Sequence, residues 1–193
     1  MIMKFVLRNG NLNDIGALAA CHFKCFVDAH QDILPQPLLD DFQLPQALKH
    51  WRSEFVAQAE DEDRGIFVLE AENNRIIGFA NCGAAQAKSS NSLGQGEIFS
   101  LFVEADYQGF GLGKALMLAA SRWLICRGLF SGGMWVVEDN GIGRRFCEDL
   151  GARNVARRRV NNKGYQITKI GLSWADFSEV AQLECEVPQW GTN

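Results

Sequence analysis

The sequence predicts a mixed α/β domain, and three observations lead to that fold class. Segments with strand alternation and segments with helical spacing follow one another along the 193 residues in the order β-α-α-β-β-β-α-β-α-β-β. Hydrophobic residues make up 47% of the chain and charged residues 22%, which suits one domain with a core of its own. A glycine-rich turn also joins a central apolar segment to a long helical pattern.

The first third of the chain predicts one strand followed by two helices. Lys4–Arg8 has the pattern of a strand, and Asn11 with Asp14 three residues later forms a capping-box pattern that opens a helix. Pro35 and Pro37 interrupt that helix, because proline removes a backbone donor and clashes with the preceding turn. A second helix is predicted over Pro45–Ala59, where apolar residues recur on one face.

Strands dominate the middle of the chain. Ile66–Glu70 and Arg75–Cys82 predict a hairpin around Glu72–Asn74. The small and polar residues of Ala87–Gln95 predict a loop. The apolar run Ile98–Val103 predicts a further strand, and the glycine-rich turn follows it after a few residues.

The last third predicts a helix, a strand, a short helix and a hairpin. The long helical pattern continues to about Arg127, and the strand after it ends at Asn140, a residue type that caps helices. Gly151 closes the short helix, and two strands flank the strong turn signal Asn161–Gly164. The domain is therefore predicted over residues 1–174. Residues 175–193 form an extension with a short amphipathic helix that would dock on the domain or on a second copy in a homodimer.

Composition excludes several classes of protein. The apolar runs are far shorter than the roughly 20 residues of a membrane span, and Met1–Arg8 lacks the layout of a signal peptide. We therefore expect a cytoplasmic protein whose six cysteines are free thiols. The net charge of −4 disfavours nucleic acid as a partner, and the basic run Arg157–Arg159 is typical of a solvated strand face.

The stretch Gln108–Lys114, which reads QGFGLGK, has the chemistry of a phosphate cradle. Alternate glycines let the backbone curl so that several N–H groups point one way, and the start of a helix adds its positive partial charge. The dinucleotide fingerprint does not fit, because its third glycine would fall at Lys114 or Leu116. The P-loop does not fit either, because Ala115 replaces the hydroxyl that binds magnesium.

The pattern that fits is Q/R-x-x-G-x-G/A, and here the chain resembles the GCN5-related N-acetyltransferases (GNAT superfamily), in which this loop holds the pyrophosphate of acetyl-CoA. A second stretch resembles the family pattern V-x-x-x-N-x-x-A-x-x-F-Y-E-x-x-G, since Asn140, Phe146, Glu148 and Gly151 match it in register. The resemblance covers residues 3 to about 174. It implies the family's fold, a centrally splayed mixed sheet of about six or seven strands with flanking helices and the cofactor in the gap.

The resemblance also implies acetyl-CoA (coenzyme A) as the cofactor and a set of residues that bind it. A bulge in the strand at Leu101–Val103 would leave backbone groups unpaired for the pantetheine amides. Asn140 would contact pantetheine, and Lys114 would add a full charge at the phosphates. The cofactor-binding residues implied in this way are Leu101, Phe102, Val103, Gln108, Gly109, Phe110, Gly111, Leu112, Gly113, Lys114, Asn140, Gly143, Arg145 and Phe146.

Two residues are candidates for the acid–base chemistry. By resemblance Glu97 would accept the proton of the amine through a water chain, and an exposed strand carboxylate is the alternative interpretation. Cys147 replaces a tyrosine that in the family protonates the leaving sulfur. The shorter thiol has three interpretations, namely proton donor, inert packing group or site of covalent modification. We favour packing, because the leaving thiol departs as a fairly stable anion.

The segment His22–Trp51 resembles the substrate side of many bacterial members, so we expect it to shape the pocket of the acceptor amine. Its aromatic residues Phe26, Phe42 and Trp51 would form a partly apolar wall or simply belong to the core. Acidic residues at 40, 41 and 61–63 would attract a cationic acceptor or form a hydrated rim. No metal is expected, because His22 and Cys25 lie one turn apart without a second pair of zinc ligands.

Together these features predict an acetyl-CoA-dependent N-acetyltransferase that acts by direct transfer to a primary amine. The acceptor amine would belong to a small molecule, a protein N-terminus or a lysine. Two alternatives remain open at this point: a non-catalytic sensor that binds acyl-CoA, and a transferase for a longer acyl group.

Overall fold

The computed structural model describes residues 4–60, 64–86 and 92–183. The described strands form a seven-stranded sheet in the order β1-β2-β3-β4-β5-β7-β6, in which β4 and β5 are parallel and the other neighbours antiparallel. The predicted mixed α/β class is confirmed. The strands are β1 (Val6–Asn9), β2 (Arg64–Ala71), β3 (Arg75–Ala84), β4 (Gly96–Val103), β5 (Gly132–Val137), β6 (Arg153–Asn162) and β7 (Tyr165–Trp174). The helices that matter for the site are α1 (Ile15–His30), α2 (Gln36–Asp41), α3 (Leu44–Glu60), α4 (Leu112–Cys126), α5 (Gly141–Asp149) and α6 (Phe177–Ala181).

Side-chain alternation along the strands separates two hydrophobic cores, one on each face of the sheet. In β2, Ile66 and Val68 belong to the core beneath α1 and α3, while Phe67 and Leu69 belong to the core beneath α4. Trp51 of α3 is fully buried in the first of these cores. The half of the sheet that runs from β1 to β4 is therefore covered by helices on both faces.

The N-terminal elements follow the local signals, with one addition. The predicted capping box of Asn11 and Asp14 is present and leads through a short 3-10 turn into α1. The sequence reasoning missed α2, which begins directly after Pro35 and carries Pro37 in its first turn. Proline breaks the interior of a helix but suits its first turn, where the missing N–H has no helical partner. Pro35 and Pro37 therefore lie at the start of α2, whereas α1 already ends at His30.

The β6–β7 hairpin is tight because its turn residues accept positive φ angles. Asn162 pairs with Tyr165, and the two residues between them, Lys163 and Gly164, have φ angles of 51° and 87°. This geometry is that of a two-residue turn of the type that matches the twist of the strands. The hairpin predicted around Asn161–Gly164 is thus confirmed.

The chain after β7 returns to the domain as α6. Its Phe177 and Val180 are fully buried and belong to the core beneath α4. On the outer surface of α4, Arg122 donates to the carbonyl oxygen of Ala181 at 3.1 Å. The described part of the C-terminal extension thus completes the same core as α4.

The sheet divides between β4 and β5. Their parallel ladder holds two residue pairs, Gly96 with Gly132 and Glu97 with Gly133, and the strands diverge beyond them. A Cβ at position 132 would lie 2.0 Å from the carbonyl oxygen of Gly96, and one at position 133 would lie 2.2 Å from that of Leu172. Glycine is therefore required at both positions. The predicted central splay is confirmed. The residues of β5 at its root, Gly132 and Gly133, have no side chains.

The bulge predicted at Leu101–Val103 is wrong in position. Those residues pair regularly with β3, and the extra residue is Phe99, because Ser100 lies opposite Asn81 while Ile98 lies opposite Cys82. One inserted residue shifts the alternation of side chains along the strand, and so it changes the face of the sheet to which the following side chains point. The open edge of Leu101–Val103 arises instead from the end of the β4–β5 ladder.

Candidate functional site

A cavity of about 550 Å³ occupies the split in the sheet. Strand β4 lines one side of it and β5 the other, and the cavity continues to side chains of α1, α2 and α3 and to the β6–β7 hairpin. Several predicted site residues line it, namely Leu101, Phe102, Asn140, Gly143, Phe146 and Cys147. The predicted residues Glu97, Val103, Arg145 and the turn Gln108–Lys114 lie outside its lining.

The predicted glycine turn is a curled loop at the start of α4. Gly109 and Gly111 have φ angles of 81° and 78°, in the left-handed region that favours glycine. Gly111 is the N-cap of α4, and as a glycine it has no side chain with which to cap the first turn of this helix. The side-chain amide of Gln108 donates to the carbonyl oxygen of Val103 at 2.9 Å, which ties the loop to the end of β4. The loop thus presents a helix N-terminus beside the open end of the split.

The other members of this turn differ in burial. Leu112 is buried in the core beneath α4, Phe110 is exposed, and Gly113 and Lys114 are half-buried. A Cβ at position 113 would lie 3.2 Å from the ring of Phe146. The absence of a side chain at Gly113 therefore lets α4 and α5 approach each other on either side of the split.

The first turn of α5 explains one departure from the family pattern. Asn140 caps this helix, since its Oδ1 accepts a hydrogen bond from the N–H of Gly143 at 2.8 Å. A Cβ at position 143 would lie 3.0 Å from Nδ2 of Asn140, so the usual alanine would require the cap to move. Arg145 is exposed and lies 3.7 Å from Asp149 on the outer face of the same helix.

Glu97 lies buried at the root of the split. It pairs with Gly83 of β3 and Gly133 of β5, and its Oε2 accepts a hydrogen bond from the N–H of Gln86 at 3.3 Å. Burial lowers the pKa values of Arg158 and Lys169, and the charge of Glu97 acts against that lowering. Glu97 thus lies at the root of the split and outside the lining of the cavity.

Cys147 lies on the buried face of α5 and also lines the cavity. Its Sγ lies 3.4 Å from Sδ of Met134, and the residue is 1% exposed. Burial raises the pKa of this thiol to about 12. The group therefore stays protonated at neutral pH and is a weak acid.

His22 is the centre of an aromatic group that forms the inner wall of the cavity. Its ring centroid lies 4.8 Å from that of Phe42, 5.1 Å from that of Phe79 and 5.6 Å from that of Phe102. Burial lowers the pKa of His22 to about 3, and burial also lowers the pKa values of His30 and His50. The three histidines of the chain all line this cavity, and they are neutral near pH 7.

A hydrogen-bonded chain of polar side chains crosses the sheet beside this wall. Ser100 Oγ donates to Asn81 Oδ1, and Asn81 Nδ2 donates to Glu54 Oε2 at 3.2 Å. The charge of Glu54 also favours the protonated form of His50. Sequence reasoning missed these residues, because they come from α3, β3 and β4 and no local spacing connects them.

The three aromatic residues predicted for the acceptor wall or the core divide between the two. Phe26 lines the cavity, and Phe42 packs against it with ring centroids 4.4 Å apart. Trp51 belongs to the core, because α3 turns it away from the cavity and under β3. Asp41 is paired with Lys163 of the β6–β7 turn at 2.5 Å, and residues 61–63 lie outside the described part of the chain.

Two further features concern metals and membranes. Within residues 4–60, 64–86 and 92–183, no group of three or more His, Cys, Asp or Glu side chains is arranged to hold a metal ion. Across the same residues, none of the helices combines the length and apolarity that a membrane crossing requires. The five described cysteines are free thiols, and Cys126 is the exposed member of that set.

Comparison with known proteins adds a family to this geometry. The model of the acetyltransferase (GNAT) family matches residues 26–152. YuaI, an uncharacterized N-acetyltransferase of Bacillus subtilis (strain 168), is 24% identical over 177 residues, which are 92% of this chain and 96% of YuaI. The mycothiol acetyltransferase of Saccharomonospora viridis is 36% identical over 93 residues, which are 47% of this chain and 30% of that protein.

Solved structures share the fold. The PaiA N-acetyltransferase of Thermoplasma acidophilum, solved in complex with coenzyme A, superimposes with a TM-score of 0.67 at 16% identity over 86% of this chain and 97% of that chain. The structure of YncA from Salmonella typhimurium with its cofactor acetyl-CoA gives a TM-score of 0.64 at 16% identity, over 88% and 92% of the two chains. The chain belongs to the acetyltransferase (GNAT) family: it is an N-acetyltransferase, and the acyl group that it transfers is carried by coenzyme A.

Proposed function

We propose that this protein transfers an acetyl group from acetyl-CoA directly to the primary amine of an acceptor, without an acetyl-enzyme. The observation that carries the proposal is the cavity of about 550 Å³, which joins the open edge of β4 to the wall formed by α1, α2 and α3. A donor held along β4 and an acceptor held against that wall would meet in one continuous space. Holding both reactants in one site removes most of the entropy cost of bringing them together.

The reaction balances without any group beyond these two reactants. Acetyl-CoA supplies a thioester, whose carbonyl carbon forms a bond to the amine nitrogen while its C–S bond breaks. An acceptor that enters as an ammonium ion releases two protons, of which the departing thiolate takes one and the solvent takes the other. The work of the chain is therefore to align the donor, to receive a proton from the acceptor and to exclude competing water.

The residues near the open end of the split suit a donor with a diphosphate and amide groups. The left-handed glycines Gly109 and Gly111 curl the loop, and the N-terminal turn of α4 would direct backbone N–H groups at phosphates, with Lys114 on the same turn. The edge of Leu101–Val103 beyond the β4–β5 ladder offers backbone groups to amides. Asn140 and Phe146 lie across the split from that edge. We propose these residues as the grip on coenzyme A, with Arg145 in no more than a peripheral role.

We propose that Cys147 packs rather than donates a proton. Its pKa of about 12 lies well above the value of about 8.5 for an ordinary thiol, so the transfer of its proton to a leaving thiolate would be unfavourable. The leaving group is itself a stabilised anion and departs without an acid at its side. The covalent-modification interpretation loses support for the same reason, since the reactive form of a cysteine is the thiolate.

For the proton of the acceptor we propose Glu97, acting through water. It is the carboxylate at the root of the split, and burial keeps it apart from bulk solvent. The matched comparison is Glu97→Gln against Glu138→Gln, because Glu138 is a carboxylate bonded to Arg157 outside the cavity. Glu97→Gln should lower kcat at neutral pH and recover as the pH rises and the free amine becomes abundant. An unchanged pH profile would remove Glu97 from the mechanism.

The experiment that tests the whole proposal combines calorimetry with a panel of amines. Coenzyme A should bind with measurable heat, and the release of its thiol from acetyl-CoA should depend on the amine added. Binding without turnover on a broad panel would favour the non-catalytic sensor. A parallel series with acetyl-, propionyl- and succinyl-CoA measures the length of acyl group that the cavity accepts, and a preference for the longer groups would overturn the assignment of acetyl.

A further inference from the structure

Lys169 faces the proposed acceptor end of the cavity, and none of the described residues forms a salt bridge with it. Lys169 lies in β7, where it pairs with Val137 of β5 and Arg158 of β6. Its neighbour Ile170 belongs to the core beneath α4, so Lys169 projects from the opposite face of the sheet. The residue is half-buried and lines the cavity together with His30 of α1.

The positive charge at this position is not balanced by an ion pair. Within the described part of the chain, Nζ of Lys169 has no hydrogen-bond or salt-bridge partner. The guanidinium of Arg158, on the neighbouring strand, lies 3.8 Å from the ring of Trp135 and adds a second positive charge. Burial and the charge of Arg158 lower the pKa of Lys169, whereas the charge of Glu97 raises it. His30 senses the same charge, because Lys169 contributes to the lowering of its pKa.

The rest of the lining offers no counter-charge to a cation. No Asp or Glu is among the described residues that line the cavity, and the three histidines in it are neutral. Much of the remaining wall is apolar and includes Phe26 and Phe102. An acceptor with an extra positive charge would lose its hydration here without compensation. An anionic group would instead meet an ammonium that lacks a partner.

We propose that the acceptor is a small amine that also carries a carboxylate and an apolar group, of the size of a hydrophobic amino acid, and that Lys169 Nζ pairs with that carboxylate. The inference rests on the proposed function and names the class of acceptor. Asn161, at the end of β6, also lines this region, and its Oδ1 is engaged by the N–H of Gly164 at 3.0 Å. Its amide N–H groups remain as further donors for the same anion.

The test compares amino acids with their carboxamides, which keep the size and lose the charge. Phenylalanine, leucine and 4-aminobutyrate would each be measured against the matching carboxamide, in the wild type, Lys169→Gln and Lys169→Arg. We expect the wild type to favour at least one acid over its carboxamide by about tenfold in kcat/KM, which corresponds to about 1.4 kcal/mol. Lys169→Gln should abolish that preference through KM, and Lys169→Arg should retain part of it.

A second readout uses the reaction product and needs no turnover. N-acetylphenylalanine should stabilise the protein saturated with coenzyme A against heat more than N-acetylphenylalaninamide does, and Lys169→Gln should remove the difference. The matched control is Lys163→Gln, which deletes the same charge from the turn of the same hairpin, where Lys163 is exposed and paired with Asp41. This control should behave as the wild type in both assays.

The possible failures are distinguishable. Equal or better use of the carboxamides, or an acid preference that survives in Lys169→Gln, would overturn the role of Lys169 while leaving the acetyltransferase proposal intact. Acetylation of amines that lack a carboxylate, with none of the amino acids used, would do the same. Binding of coenzyme A without acetylation of any amine would overturn the proposed function and this inference together.

Discussion

At the scale of single residues, Cys147 shows how burial decides the chemistry of a side chain. The sequence alone leaves its role open, because a cysteine in place of a tyrosine is still an acid. The structure surrounds the thiol with apolar atoms and raises its pKa to about 12. A thiol with so high a pKa contributes to packing and is not an effective proton donor.

We therefore expect Cys147→Ala to retain at least about a tenth of wild-type acyl transfer, whereas loss of a true general acid costs about a hundredfold or more. Removing the buried sulfur should lower the free energy of unfolding by about 1 kcal/mol. Steady-state kinetics and urea unfolding measure the two effects. A hundredfold loss of kcat in a variant that is still folded would restore the proton-donor interpretation.

The same burial makes a prediction for thiol labelling. In the native protein, iodoacetamide should modify the exposed Cys126 and leave Cys147 unmodified, as read by peptide mapping. Unfolding in urea should make both cysteines reactive. Native labelling of Cys147 at a rate comparable to that of Cys126 would contradict the buried, protonated thiol.

His22 predicts a loss of stability in acid. Its pKa falls from 6.5 to about 3 on folding, so below pH 6.5 the unfolded chain binds a proton that the folded chain refuses. The stabilisation is complete above pH 6.5 and is lost as the pH falls towards the folded-state value. At about pH 5 the loss from His22 alone should be about 2 kcal/mol. Urea unfolding at pH 7 and pH 5 should show a smaller difference for His22→Gln than for the wild type, and equal differences would refute the assignment.

At the scale of elements, the glycine turn before α4 can be tested against a matched position. Gly109 and Gly128 have φ angles of 81° and 76°, and among the described residues no atom beyond their chain neighbours lies within 4 Å of the Cβ that alanine would add at either position. Replacing either residue by alanine should cost about 1 kcal/mol of stability, because both sites need a left-handed backbone. Gly109→Ala should also weaken the binding of coenzyme A in calorimetry, while Gly128→Ala should leave it unchanged. Equal affinities for the two variants would show that the loop does not bind the phosphates.

Local elements were predictable from the sequence because their signals are local. The capping box of Asn11 and Asp14 and the turn at Asn161–Gly164 act on the backbone within a few residues, and both are present. The position of the bulge was predicted wrongly because it depends on which residues of β3 lie opposite β4. No local sequence signal at Phe99 indicates that register. Helix α2 was missed because Pro35 and Pro37 were interpreted only as residues that break a helix. In the structure they lie at the N-cap and in the first turn of α2.

The wall proposed to hold the acceptor could not be predicted to the same depth. His22, His50 and Lys169 come from α1, α3 and β7 and meet only when the sheet and its helices are assembled. Their lowered pKa values arise from burial that no short stretch of sequence encodes. The donor side was more accessible to sequence reasoning, since a glycine turn and an asparagine cap hold the required geometry within single elements.

At the scale of the whole molecule, the chain beyond β7 is part of the fold. Phe177 is fully buried in the core beneath α4, and we expect Phe177→Ala to lower the free energy of unfolding by about 3–5 kcal/mol. Ile142→Ala is the surface comparison, because that side chain is 80% exposed and its loss should cost about 0.5 kcal/mol or less. Urea unfolding measures both variants. Similar small costs for the two would mean that α6 is dispensable.

Gly132 and Gly133 make the root of the split a part of the molecule that does not tolerate substitution. Any side chain at Gly132 or Gly133 would strike backbone atoms of a neighbouring strand, and the backbone cannot retreat without separating the two halves of the sheet. The width of the split at its root is therefore fixed by the backbone. Under the proposed function, the acceptor can change only through the outer walls, where α1–α3 and the β6–β7 hairpin can be altered while the split keeps its width.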